Sequence, residues 1–370
     1  MTYWNKQPLD IINDINYNDK KDKNNKIDKN DTHIKIINNN PQLINIILPN
    51  GFKFKTLNVS HLDKIHSLIN NHYVCDDQQI VRLTYSRDFL YWYISNIPLG
   101  YIVGLVYENK LVGMITSIFI DMIVYGEKLS IPYINFLCVQ KTLRLIGLAP
   151  MLINEMKNRL VEYGFKCGLF SSNKCIPKSF CSTIGYVVPI NYTKLNKIGF
   201  LTEREVDIIE IDNNPLHLMN KSDIDQVLTG LNFFMEKLLI KPHFTTESLN
   251  HFMLPKKNIV YSFVVKDLNG KITDFVCVYK HYLYCIDHKK MIVVANLAFY
   301  YNNSMQLTQL IKYLLDKLRI YGFDQLVFRN TFDNSNINIT KFCTQDILSY
   351  YFYNVSVHLI SASEMCFYPF

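Results

Sequence analysis

The chain has 370 residues, 49% of them hydrophobic and 19% charged, which excludes a collagenous, coiled-coil or wholly disordered protein and, at roughly 150 residues per domain, leaves room for about two domains or one large duplicated unit. The 39 basic and 32 acidic residues behind the formal charge of +7 are dispersed along the chain, without the dense basic stripe that a phosphate backbone requires, so nucleic acid is not an expected partner. Nine cysteines stand singly with no CxxC pair, a usage that fits a reducing compartment.

The opening residues, MTYWNKQP, lack the charged-then-apolar pattern of a secretory leader. Residues 13–40 are an Asn/Asp/Lys run with too few apolar side chains to offset the entropy of ordering, and read as a mobile loop. Leu62, Ile65, Leu68 and Ile69 predict a helix over 61–71. Strands follow at 111–124 and 134–139. The first is cut by Asp121 and falls short of the ~20 residues of a membrane helix, so the expectation is a cytoplasmic protein with no stable membrane insertion; a monomer is expected separately. Pro150, Leu152, Ile153, Met156 and Leu160 give a helix with proline in its first turn, ended by Tyr163-Gly164 and followed by a strand over 167–171. In the second half, strands over 259–265 and 272–279 flank Asn269-Gly270, a two-residue hairpin signal. Another strand covers 291–299, a long helix runs from Leu307 to Leu318, and strands over 326–328 and 348–357 complete the sheet.

The two halves echo one another. Tyr163-Gly164-Phe165 and Tyr321-Gly322-Phe323 each close a helix and open a strand, at an offset of 158 residues, and the same offset carries 134–139 onto the apolar run 292–297. This predicts a duplicated α/β unit. Between strand and helix in the first copy lies Arg144-Leu145-Ile146-Gly147-Leu148-Ala149-Pro150. A glycine before a helix lets the backbone approach a phosphate, and the helix start favours an anion there. The second copy has Asn302-Asn303-Ser304-Met305 in that place, without the glycine.

The spacing Arg144-x-x-Gly147-x-Ala149 after an apolar strand resembles the CoA-pyrophosphate loop of acyl-CoA-dependent N-acetyltransferases. The wider neighbourhood, Ile134-Asn135-Phe136-Leu137-Cys138-Val139 with Leu143-Arg144 and Ala149-Pro150, resembles the glycylpeptide N-myristoyltransferases, themselves duplicated acetyltransferase (GNAT) folds. Matches in family order run nearly the full length, among them Tyr3-Trp4, Tyr73-Val74 with Asp76-Asp77, Arg82 with Tyr85, Asn269-Gly270, Gly322-Phe323-Asp324 and Tyr350-Tyr351-Phe352-Tyr353-Asn354.

The resemblance implies an α/β (α+β) fold of two tandem acetyltransferase-like units sharing a large mixed, saddle-shaped sheet flanked by helices. An acyl-CoA half would span 1–210, and a peptide half, 211–370, would return the C-terminus to the active site. It implies transfer of a C14 acyl group from myristoyl-CoA, with no metal, to the amine of an N-terminal glycine on a peptide or protein. The backbone N–H groups of Phe136 and Leu137 would form the oxyanion hole and the α-carboxylate of Phe370 would act as base. Tyr3, Trp4, Phe136, Leu137, Cys138, Val139, Arg144, Leu145, Gly147, Leu148 and Ala149 would hold the acyl-CoA; Val74, Asp76, Asp77, Arg82, Tyr85, Asn135, Ser171 and Asp346 would hold the peptide. Cys138 is not read as a nucleophile but as a buried strand thiol.

Departures from the family pattern are equally specific. Its Ser-Lys-Arg after Arg144 is here Leu145-Ile146-Gly147, its third groove aspartate is Gln78, and its glycine-rich loop before the last strand is Cys343-Thr344-Gln345-Asp346. These keep open a non-enzymatic acyl-CoA or acyl-peptide binding homologue and a short-chain N-acetyltransferase. Cys277, His281, Cys285 and His288 offer metal-ligand atoms, but C-x3-H-x3-C-x2-H matches no usual zinc spacing.

Overall fold

The computed structural model describes residues 3–12, 33–73, 80–200 and 211–368. The first half runs β1 (Asp10–Ile12), β2 (Ile34–Ile36), β3 (Phe52–Thr56), α1 (Leu62–His72), β4 (Val81–Thr84), α2 (Arg87–Ser95), β5 (Ile102–Tyr107), β6 (Lys110–Val124), β7 (Glu127–Val139), α3 (Leu148–Glu162), β8 (Gly168–Ser172), β9 (Cys181–Pro189) and α4 (Tyr192–Lys197). The second runs β10 (His217–Leu218), α5 (Ile224–Phe234), β11 (Ile240–Pro242), α6 (Thr246–Phe252), β12 (Val260–Lys266), β13 (Ile272–Cys285), β14 (Lys290–Asn302), α7 (Leu307–Ile320), β15 (Gln325–Arg329), β16 (Phe342–Tyr353) and β17 (Val355–His358).

The duplication is written into the order. A shift of 158 residues carries β5 onto β12 and α3 onto α7 within a residue, and brings α2 onto α6, β4 onto β11 and β8 onto β15. One large mixed sheet holds both copies in the order β10-β12-β13-β14-β15-β9-β16-β8-β7-β6-β5-β3. In each copy a single parallel contact, β7 with β8 and β14 with β15, interrupts otherwise antiparallel pairing. The copies also exchange strands. β9 of the first half pairs with β15, β16 of the second pairs with β8, and the two exchanged strands meet at the centre. β4 likewise crosses to β13 and β11 to β6. One contiguous apolar core therefore spans both halves.

Helices cover the sheet because their apolar stripes demand it. α1 buries Leu62, Ile65, Leu68 and Ile69, and α3 buries Leu148, Leu152, Met156 and Leu160, on opposite faces of β6 and β7. Gly113 in β6 admits α3: a Cβ there would stand 3.1 Å from a Leu152 methyl carbon.

Three expectations need correction. Of the run 13–40 read as a mobile loop, residues 13–32 lie outside the described residues, but Ile34–Ile36 is a strand paired with Val355–Val357, where Ile34 packs on the core. Residues 348–357 are not one strand. Asn354, with φ 61°, breaks the run, its amide bonding Asn38 O and Lys166 O at 2.7 Å each, and Val355 onward joins β1 and β2 in a second, three-stranded sheet. The turn at Asn269-Gly270 is not a two-residue loop: Gly270 N–H donates to Asp267 O, Asp267 N–H donates to Lys271 O, and only Gly270 is left-handed, the signature of a three-residue hairpin.

Candidate active site

The regular ladder between β6 and β7 fails at one place. Met114 pairs with Cys138 and Thr116 with Asn135, so Phe136 and Leu137 together stand opposite Ile115. This two-against-one bulge puts Phe136 in the left-handed region, φ 49°. A bulky side chain there carries strain of order 1–3 kcal/mol and persists only where its surroundings over-determine it. They do so here: the Phe136 ring is 1% exposed and packs against Tyr73, Tyr85 and Tyr93 at centroid distances of 5.4, 5.0 and 5.0 Å. The distortion the oxyanion reading requires is thus present.

The bulge opens into a cavity of about 560 Å³, within the range of small-molecule sites. Its apolar lining includes Ile153, Met156 and Leu160 of α3, Ile134 and Leu137 of β7, and Phe165. Its polar lining includes Tyr73, Asn135, Ser171, Arg329 and Asp346. Strand register explains the opening, since β7 and β8 pair only at Tyr133 with Leu169 and Ile134 with Phe170. Trp4 lines the cavity, stacked on Phe170 at 5.1 Å, while Tyr3 donates its hydroxyl to Asn154 on α3 at 2.9 Å. The sequence reading missed the α3 lining, because an i, i+3, i+7 apolar stripe is indistinguishable from ordinary core in sequence. It also missed Lys157, whose ammonium lies 5.8 Å from the centre of the Tyr353 ring and whose pKa is lowered by burial.

Hydrogen bonds fix the polar side. The Phe136 N–H donates to Asn135 Oδ1 at 2.8 Å and the Tyr73 hydroxyl reaches the same oxygen at 3.3 Å. Thr116 Oγ1 donates to the Asn135 carbonyl at 3.0 Å. Ser171 Oγ lies 3.1 Å from the Tyr133 hydroxyl. Asn70 clamps the Tyr85 backbone, accepting from its N–H at 2.8 Å and donating to its carbonyl at 3.0 Å. Partial burial works against the Asp346 carboxylate, but Arg329, 2.5 Å away, outweighs it and holds the carboxyl below its usual range. Arg82 lies on β4 with its guanidinium 5.3 Å from the centre of the Tyr284 ring, away from the cavity lining.

The turn into α3 is built for backbone contact. Leu145 and Gly147 are both left-handed, φ 74° and 83°, and a Cβ on Gly147 would meet nothing within 4 Å. Leu148 is buried and anchors the helix, while Leu145 is fully exposed. Arg144 turns inward: its Nε donates to Val139 O at 3.2 Å and its Nη2 to His72 O, closing the end of α1. In the second copy the corresponding turn is satisfied internally, Asp274 accepting from both the N–H and the hydroxyl of Ser304. The first turn of α3 carries no acid.

Cys138 lies beneath this site with its sulfur 3.9 Å from Leu68 O, and burial pushes its thiol up to about 12. Among the described residues no group of three His, Cys, Asp or Glu side chains could hold a metal ion. Cys277, His281 and Cys285 stand four residues apart along β13, about 13 Å between neighbours, so they do not converge. His281 instead bonds the Tyr368 hydroxyl at 2.9 Å, and burial lowers its pKa to about 3. The last described residues run beside the cavity, Phe367 edge-on to Tyr133 at 5.1 Å and Tyr368 stacked on Tyr279 at 4.9 Å. Val74, Asp76, Asp77 and Phe370 lie outside the described residues. No helix among the described residues is long and apolar enough to cross a membrane.

Comparison with known proteins matches the same regions. Residues 27–183 fit the family model of the myristoyl-CoA:protein N-myristoyltransferase N-terminal domain and residues 201–365 that of its C-terminal domain. A protein of Acanthamoeba polyphaga mimivirus provisionally named glycylpeptide N-tetradecanoyltransferase is 50% identical over 323 residues, 86% of this chain and 90% of its own length. The glycylpeptide N-tetradecanoyltransferase of Plasmodium falciparum is 30% identical over 83% of this chain and 80% of its own. In fold, the Saccharomyces cerevisiae N-myristoyltransferase crystallised with myristoyl-CoA superposes with a TM-score of 0.83 at 20% identity, covering 97% of this chain and 94% of that one. With both family domains matched in sequence and the bulge, the helix-start turn and the exchanged duplicate sheet in place, the chain belongs to the myristoyl-CoA:protein N-myristoyltransferase family.

Proposed function

We propose that this chain transfers a tetradecanoyl group from its CoA thioester to the N-terminal glycine amine of peptides and proteins. The amine nitrogen attacks the thioester carbon, the new C–N bond forms as the C–S bond breaks, the thiol portion of CoA leaves, and the ammonium proton passes to a base. The observation that carries the reading is the left-handed bulge at Phe136 and Leu137, whose backbone N–H groups would turn to the carbonyl oxygen as negative charge develops, that of Phe136 exchanging Asn135 Oδ1 for it. Gly147, Leu148 and Ala149 at the start of α3 cradle the pyrophosphate by backbone contact, which needs no Ser-Lys-Arg. Tyr3, Trp4, Cys138, Val139, Arg144 and Leu145 complete the acyl-CoA half, 1–210.

Peptide binding falls to Val74, Asp76, Asp77, Tyr85, Asn135, Ser171 and Asp346, with Arg82 beside them on β4 rather than on the cavity wall, and the second half, 211–370, carries the chain toward Phe370. The described residues that precede it lie against Tyr133 and Tyr279. The apolar arm between α3 and β7 favours a long chain over acetyl: about twelve methylenes at ~0.8 kcal/mol each contribute up to ~10 kcal/mol when buried. We place the protein as a monomer in the cytoplasm; the eight described cysteines are all unpaired, as a reducing compartment allows.

The test is kinetic. Purified protein is given a Gly-initiated peptide with acetyl-, octanoyl- and tetradecanoyl-CoA in parallel. The proposal expects kcat/KM to rise steeply with chain length. Turnover of acetyl-CoA alone would establish a short-chain transferase, and binding of all three without turnover a binding homologue.

A further inference from the structure

We infer that the end of the molecule around the turn into α3 is a peripheral membrane-contact surface, on which Leu145 and Ile146 enter the headgroup–acyl boundary of an anionic bilayer and the lysines of a neighbouring cleft meet its headgroups. The contact goes beyond the acyl-transfer reading and does not depend on it.

The turn places apolar side chains where nothing packs on them. Leu145 is fully exposed although its φ of 74° is one that leucine rarely adopts, and Ile146 is half exposed next to it. Strain and unburied apolar surface together are unfavourable unless something covers the tip. Cations lie close by. Lys53 and Lys55 of β3 and His61 and Lys64 of α1 line a second cavity, of about 370 Å³, over Leu57 and Leu111, and no acid lines it. Burial, then the Lys55 and Lys64 ammoniums, lower the pKa of His61, so the charges bear on one another across the cleft. Two hydrogen bonds tie cleft to turn: Gln140 N–H donates to the carbonyl of Val112, the neighbour of Leu111, at 2.8 Å, and Lys141 N–H donates to His72 Nδ1 at the end of α1. Lys110 and Lys141 are exposed along this path, and none of these lysines forms an ion pair with a described residue. Of the acids at this end, Asp63 is held by Arg87 at 2.9 Å, leaving Glu108 in the β5–β6 turn. Two side chains are far too small a patch for a stable protein partner, which covers ~800 Å² on each side. An apolar tip beside unpaired cations is instead complementary to a bilayer, through its acyl boundary and its negative headgroups. On the acyl-transfer reading, a product released there passes its chain to lipid without crossing water.

The experiment is co-sedimentation of full-length protein with phosphatidylcholine vesicles, with and without phosphatidylserine. The partition coefficient is expected to be at least tenfold higher with phosphatidylserine and to fall with added salt. The double variant Leu145→Ser/Ile146→Ser and the triple variant Lys53→Gln/Lys55→Gln/Lys64→Gln are each expected to lose at least tenfold, while keeping the wild-type urea midpoint because the altered side chains are exposed. Glycerophosphoserine, the headgroup without its chains, should not displace the protein at the concentration of the lipid, and saturating CoA should leave partition within threefold. Equal partition onto both kinds of vesicle, or unchanged partition in the double variant, overturns the inference. So does displacement by the soluble headgroup, which would make the cleft a site for small anions, or by CoA, which would make the tip a cofactor contact. Turnover is not a readout, so the outcome stands apart from that of the acyl-transfer reading.

Discussion

Replacing Gly147 by valine separates backbone contact from folding. Gly147 sits at φ 83° in front of α3, and an added Cβ meets nothing within 4 Å. The folded protein therefore loses only what a left-handed β-branched residue costs, about 1–2 kcal/mol, without a packing clash. On the reading proposed above, the space a side chain fills is the space a pyrophosphate would need in order to lie against the N–H groups of Leu148 and Ala149. No lysine in the 145–147 turn offers a second route, since those positions are Leu145, Ile146 and Gly147. Affinity for tetradecanoyl-CoA should fall at least tenfold, equivalent to ~1.4 kcal/mol or more of binding free energy. Calorimetry supplies the dissociation constant and urea unfolding the stability of the same preparation. Gly147→Ala should give a smaller effect in the same direction. An unchanged dissociation constant in a folded Gly147→Val protein would refute placement of the pyrophosphate at this turn.

Other expectations concern the cavity, the thiol and acid stability. Met156→Trp narrows the apolar arm, and loss of room for two or three methylenes at ~0.8 kcal/mol each should cut kcat/KM for tetradecanoyl-CoA relative to decanoyl-CoA by about 30-fold; an unchanged ratio would place the chain elsewhere. Cys138→Ala should keep kcat within threefold, because a thiol pushed up to about 12 is not the nucleophile; a loss beyond a hundredfold, with acyl-enzyme trapped in wild type, would reverse that assignment. His281 has a folded pKa of about 3 against an ordinary 6.5, so the unfolded chain takes up its proton first as pH falls. Its contribution to stability is complete above pH 6.5 and is lost toward pH 3, by as much as ~1.4 kcal/mol per pH unit. Urea unfolding at pH 7 and pH 5 should show a shallower acid loss in His281→Gln than in wild type, and parallel losses would show that His281 does not titrate this way.

How far these features could be read beforehand depends on how local their causes are. The helix over 62–72 and the ends of α3 and α7 at Gly164 and Gly322 were legible because periodicity and a left-handed glycine are properties of a few adjacent residues. The duplication was legible through its constant offset. The exchange of β9 and β16 was not, because nothing in a strand's own sequence names its partner. Ile34–Ile36 was lost inside a polar run, since its ordering comes from Val355–Val357 more than three hundred residues away. At the site, Phe136 and Leu137 were reached by resemblance alone; an apolar strand carries no sign that two of its residues face one across the ladder. Asn135 was named as a peptide contact, but its hold on the Phe136 N–H is a matter of side-chain geometry that only coordinates display.

The central claim is acyl transfer to a glycine amine through the Phe136–Leu137 bulge. It is tested most directly by fragment-ion mass spectrometry of a Gly-initiated peptide with internal lysine and serine, after incubation with the protein and tetradecanoyl-CoA. The account predicts one tetradecanoyl group, on the glycine nitrogen, with none formed on the same peptide beginning with alanine or with its amine blocked. Acyl groups on lysine or serine, or a peptide left unmodified by protein that binds tetradecanoyl-CoA, would contradict it.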